Sequence, residues 1–92
     1  MKLDINRMNG ILAYIVFNQK MTDDGILEKI PVSNLIENHG KSSPSDIHYT
    51  IKKLYDDGYI TVEHNDKDII EYIVDVTKKG HNYFQTIDPD TI

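Results

Sequence analysis

The sequence predicts an α+β domain in which three helices precede a β-hairpin and a last helix closes the chain. Residues 43–60 read as a helix marked at both ends that runs directly into a strand. Residues 59–76 hold two β-rich segments around a polar tip. Two earlier stretches, 4–19 and 31–40, space their apolar residues as amphipathic helices do. Ninety-two residues, 39% of them hydrophobic and 27% charged, suit one soluble domain over 1–92 with a single modest core. There is no Cys, so stability has to come from packed helices and a small sheet.

In chain order, Asp4 is placed to cap a first helix whose buried stripe is Ile5, Met8, Ile11, Leu12, Ile15 and Val16. Gly10 inside it implies close packing on another element. Asp24-Gly25 marks a turn, and an extended piece is expected around Leu27 to Ile30. Pro31 to Gly40 forms a short second helix with Val32, Leu35, Ile36 and His39 on one side and Gly40 as its stop. The third helix has Ser43 as N-cap, Pro44 at its first position and Asp46 where a capping-box acid reaches back to a free N–H. Ile47, Ile51, Leu54 and Tyr55 make its apolar stripe, and Gly58 closes it in a left-handed conformation. Tyr59–Glu63 and Ile69–Val76 are strands joined by the polar tip His64–Asp68. Thr77 caps a last helix to about Thr86, with Tyr83, Phe84 and Ile87 turned inward, and Asp88–Ile92 is a tail. Helix, short strand, helix, helix, strand, wing loop, strand, helix is the winged helix-turn-helix order, with the third helix in the recognition position.

Two segments carry a further resemblance. Leu54-Tyr55-Asp56-Asp57-Gly58-Tyr59-Ile60 is similar to the end of a winged-helix recognition helix. Val76-Thr77-Lys78-Lys79-Gly80-His81-Asn82-Tyr83-Phe84 is similar to the segment that opens the helix after the wing. With Asp46-Ile47-His48-Tyr49-Thr50-Ile51 upstream and Asp88-Pro89-Asp90-Thr91-Ile92 downstream, the chain resembles short uncharacterised winged-helix proteins of phages and prophages of Gram-positive bacteria, the YjcQ-like type. The resemblance covers roughly residues 30–92. It implies the winged-helix fold and, through DNA-binding relatives of that fold, a phage or prophage transcription regulator.

The outward face of the third helix is the candidate site. Ser45, Tyr49 and Lys52 point where base edges or phosphates of double-stranded DNA would lie, with His48 and Lys53 on the flanks. Lys41 and Ser42 precede the helix, near the end where a phosphate is favoured. An ordinary solvated helix face is the alternative. Charge pulls both ways. Lys41 to Tyr55 holds three Lys against one Asp, but the whole chain carries a net charge of −5 and Arg7 is its only Arg. From Thr61 to Glu71 there are four acids, Glu63, Asp66, Asp68 and Glu71, against Lys67. Three readings stay open: the wing stands off the DNA, the domain is instead a protein-interaction module that faces a host or phage protein without binding DNA, or its acidic surface imitates nucleic acid in a basic groove.

Other chemistries are disfavoured. His39, His48, His64 and His81 are not at helical spacing for a shared ligand, and no Cys accompanies them, so no metal is expected. His39 reads as a partly buried helix-end residue and His81 as a packing and hydrogen-bonding one. Asp56-Asp57 and Asp23-Asp24 are adjacent acids that read as a helix end and a turn, and adjacent helical residues do not face one site. There is no glycine-rich phosphate loop and no nucleophile–base pattern, so neither an enzyme nor a cofactor is expected. No apolar run is long enough for a membrane span, and Met1 to Asp4 lacks the start of a signal peptide, which points to the cytoplasm. The first helix has more apolar residues than one face needs, Tyr14 and Phe17 among them. Either a homodimer contact or a wide intramolecular one accounts for that.

Overall fold

The computed structural model describes residues 4–87; the predicted tail Asp88–Ile92, and Met1–Leu3 of the stretch read for a signal, lie outside them. Within the described residues, four helices and three strands follow the predicted order. They are α1 (Ile5–Asn18), β1 (Ile30–Pro31), α2 (Val32–Asn38), α3 (Pro44–Asp56), β2 (Ile60–His64), β3 (Ile70–Val76) and α4 (Lys78–Gln85). The strands form one antiparallel sheet in the order β1-β3-β2. Ile60 pairs with Val76 and Ile30 with Ile73, so β3 is central and the hairpin is its β2 side.

Helix ends are set by local chemistry. Asp4 accepts the Arg7 N–H at 3.1 Å, Ser43 accepts that of Asp46 at 3.1 Å, and Thr77 accepts that of Gly80 at 3.0 Å. At the far end of α3, Gly58 takes φ +81°; its N–H reaches Tyr55 O at 3.0 Å and the Tyr59 N–H reaches Leu54 O at 2.9 Å. Those two bonds are the Schellman pattern, and they turn the chain straight into β2. Between α1 and β1, Asp24-Gly25 is a turn as expected, closed by Thr22 N–H to Ile26 O at 2.8 Å.

The apolar stripes meet in one core. Ile11, Leu12 and Ile15 of α1, Leu35 of α2, Ile47, Ile51 and Leu54 of α3, and Ile60 and Ile73 of the sheet are fully buried. Gly10 faces His39, which is half-buried at the end of α2 as expected; its Nδ1 lies 3.1 Å from Leu35 O.

Several local expectations are corrected. Ile5 is exposed, because the first residue of α1 projects past the core. Tyr55 is exposed on the hairpin side of α3, while Thr50 is buried in its stead and satisfies its hydroxyl on Asp46 O at 2.8 Å. Gly40 does stand just past the C-cap of α2, His39 with φ −111° and ψ 49°, as a stop should, but without the left-handed conformation. Asp46 turns its carboxylate to Arg7 at 3.8 Å instead of reaching back for a backbone N–H. His81 is exposed on α4, so it does not serve as a packing residue.

Candidate nucleic-acid interface

Helix α3 is clamped at both ends by residues far away in the chain. At its start, Arg7 of α1 donates from Nε to Ser42 Oγ at 2.9 Å and lies 3.8 Å from Asp46 and 3.9 Å from Asp4. At its finish, Thr77 Oγ1 donates to Gly58 O at 2.6 Å and Lys79 Nζ donates to Asp57 O at 2.7 Å. Gly80 completes that junction. A Cβ there would stand 2.1 Å from Tyr59 O and 2.7 Å from Val76 Cγ1, so only glycine lets α4 lie on the α3–β2 corner. Tyr59 and Tyr83 stack over this corner with centroids 4.8 Å apart. Tyr83 in turn donates to the buried Asn9 of α1 at 2.8 Å.

The clamped helix presents the predicted residues in three groups. Ser45 and Lys52 are exposed and Tyr49 is half-buried, all on the side of α3 turned from the core. His48 and Lys53 flank them, both half-buried. Lys41 is exposed in the connection before α3, while Ser42 is half-buried with its hydroxyl engaged by Arg7.

Both cations of the helix are met by acids one turn on. Lys52 donates to Asp56 at 2.8 Å, and Lys53 lies 3.3 Å from Asp57. The hydrogen bond to Asp56, then its charge, raises the Lys52 pKa above the ordinary value of 10.5, so the ammonium stays charged at any physiological pH. The face therefore carries hydroxyls, imidazole and locally balanced lysines.

The hairpin stands beside this face. Asn65 shapes its tip, accepting the N–H groups of Lys67 at 2.9 Å and Ile69 at 3.2 Å, and Asp68 takes φ 62°. Glu63 forms an ion pair with Lys29, so one of the four wing acids is compensated. The ring of His64 meets Tyr55 edge-on with centroids 5.6 Å apart. Between α3 and the hairpin lies a groove of about 400 Å³, bordered by His48, Lys52 and Tyr55 on one side and His64, Asp68 and Ile69 on the other.

The roles of Arg7 and Lys29 were not visible in the sequence. Their partners lie 35 and 34 residues away, and no local pattern marks such pairs. Among the described residues, no three His, Asp or Glu side chains gather as a metal site, and no helix is long and apolar enough to cross a membrane.

No family model and no curated protein matches the chain. Among solved structures it is similar to a cysteine-to-serine mutant of Lactococcus lactis ZitR, at 16% identity and a TM-score of 0.59. The likeness covers 92% of this chain and 53% of that one, so the chain spans about half the length of that protein. With the element order, the clamped third helix and the hairpin, this shared backbone shows the chain to have the winged helix-turn-helix fold.

Proposed function

We propose that the chain is a small winged-helix DNA-binding protein, a cytoplasmic transcription regulator of a phage or prophage, folded as one domain over 1–92. Ser45, His48, Tyr49, Lys52 and Lys53 contact double-stranded DNA from α3, and Lys41 approaches a phosphate ahead of it. Ser42 takes part through its place beside Arg7, whose guanidinium already occupies its hydroxyl. The single observation that carries this reading is the clamping of α3. Both ends are tied to other elements by side-chain hydrogen bonds, and its outer face is left open to solvent. A reading helix needs that rigidity, since base contacts depend on a fixed register. The fold and the resemblance to phage winged-helix proteins support it further.

Fluorescence anisotropy with a pool of random-sequence duplexes tests it. Binding is expected at about 50 mM salt, weakening steeply as salt rises. The Lys52→Ala/Lys53→Ala variant should bind more weakly and flatten the slope of log K against log salt by about 1–2. Absence of binding at low salt removes the proposal. The same reading takes the chain as a homodimer through the end of α1, where Phe17 is 71% exposed with its ring edge-on to Phe84. Sedimentation of Phe17→Glu against the parent checks that contact, and an unchanged mass would end it.

A further inference from the structure

The groove between α3 and the hairpin does not have the character of a phosphate site. It adjoins a second depression of about 370 Å³ beside α2, and the two share His48, Ile69 and Ile70. The floor is apolar. Ile70 is buried, but Ile69 and Tyr55 leave 49% and 41% of their surface in water, and Ile36 and Pro31 continue the floor under α2. A bulky isoleucine at the end of a hairpin loop gains nothing from exposure, and contiguous apolar surface of this kind marks a binding site.

The rim is acidic. Asp68 borders the first depression and Glu71 the second, with Asp66 beyond them at the tip. Lys52 is already met by Asp56 at 2.8 Å, which leaves Lys67 as the one uncompensated cation named on the hairpin side among the described residues. A nucleic-acid backbone would meet net repulsion here, whereas a cationic chain would meet attraction.

We propose that this groove binds a basic amphipathic segment of a partner protein. A large apolar side chain seats between Tyr55 and Ile69, and flanking Lys or Arg side chains meet Asp68 and Glu71. His48 and Lys52 belong both to this groove and to the DNA-facing side of α3, so the segment and DNA exclude one another. The partner thereby controls access to the reading face. Binding of the segment does not depend on DNA binding, because the complementarity lies in the hairpin acids and the apolar floor; the exclusion of DNA rests on the proposed DNA-binding function.

Selection of random displayed short peptides on the full chain, with no DNA present, tests it. Enriched peptides should combine Leu, Ile, Met, Phe or Trp with neighbouring Lys or Arg. A labelled synthetic copy of an enriched peptide should lose affinity about tenfold on Ile69→Glu. It should lose about threefold on Asp68→Asn/Glu71→Gln. Asn tolerates the φ of 62° at position 68, and all three side chains are exposed, so the variants keep the fold, as circular dichroism will show. No enrichment, an acidic or uncharged consensus, or affinity that survives Ile69→Glu would overturn the proposal. Anisotropy with duplex DNA on the same proteins is read separately, so loss of the DNA reading leaves this result intact and the reverse also holds.

Discussion

Gly80→Ala is the substitution for which helix propensity and the structure give opposite signs. Propensity alone favours Ala over Gly in a helix by about 1 kcal/mol. The structure places the new Cβ 2.1 Å from Tyr59 O, where ordinary contact begins at 3.4 Å. Tyr59 O cannot retreat freely, because it accepts the Thr77 N–H at 3.0 Å. Val76 Cγ1, 2.7 Å from the same point, blocks a sideways shift. Helix α4 must therefore lift by more than an ångström. That strips the Thr77–Gly58 and Lys79–Asp57 hydrogen bonds and loosens the Tyr59–Tyr83 stack. Overpacking costs about 1–3 kcal/mol and each lost hydrogen bond about 1, so the net loss is about 2–4 kcal/mol after the propensity gain. Urea unfolding followed by circular dichroism should show the midpoint falling by about 1–3 M. Gly10→Ala is the internal contrast. Its Cβ would sit 3.6 Å from His39 Nε2, an ordinary contact, so stability should rise by up to about 1 kcal/mol. A Gly80→Ala protein as stable as the parent would refute the close approach of α4 to the α3–β2 corner.

Three further outcomes are expected. Asp56→Asn/Asp57→Asn releases Lys52 and Lys53 from their partners at 2.8 and 3.3 Å, so duplex affinity measured by anisotropy should rise several-fold, and a fall would show that the lysines do not face DNA. Tyr83→Phe leaves buried Asn9 without its 2.8 Å donor, lowering stability at neutral pH by about 1–2 kcal/mol in urea titration. Burial, and secondarily Tyr59, push the Tyr83 phenol above its ordinary 10.0; the stability linked to that shift is full below about pH 10 and lost as pH rises through the raised value, so Tyr83→Phe should show a shallower alkaline decline than the parent. Arg7→Ala removes the 2.9 Å bond to Ser42 and the nearby cation from Asp46, and thermal unfolding should report a loss of about 1–2 kcal/mol with slackened amide protection at the start of α3.

Helix caps set within one turn of chain were mostly legible in the sequence, the Asp46 contact drawn off by Arg7 excepted; side-chain contacts between distant segments were not. Asp4, Ser43 and Thr77 cap the helices they were expected to cap, and Gly58 ends α3 in the left-handed form, because each acts on a backbone N–H or carbonyl a few residues away. The exchange of Tyr55 for Thr50 in the buried face has a different origin. Both lie at the margins of the stripe, and which margin is covered depends on where α1 and the hairpin come to rest. Arg7 on Ser42 and Lys29 on Glu63 are longer-range still. The groove belongs to the same class. Ile69 reads as a strand residue and Tyr55 as a core one, and only their juxtaposition across the groove between α3 and the hairpin makes a site of them.

The charge problem posed by the sequence resolves into a division of one surface. Helix α3 has the placement of a reading helix, yet Lys52 and Lys53 each share their charge with an acid one turn on. In the proposed DNA complex, each lysine would exchange a carboxylate for a phosphate, and the freed Asp56 and Asp57 would stand at the C-terminal end of α3, where the helix dipole also disfavours negative charge. In that proposed complex electrostatic attraction would be held low, and selectivity would fall to Ser45, Tyr49 and His48, whose hydrogen bonds to bases would depend on close placement. The clamps at Arg7 and Gly80 supply that placement. On the hairpin side Asp68 and Glu71 border the two depressions that exposed Ile69 lines, and they favour a cation instead. If both proposals hold, a surface balanced this closely has its occupant decided by a few charges, and DNA and a basic partner segment would each displace the other without any change of fold.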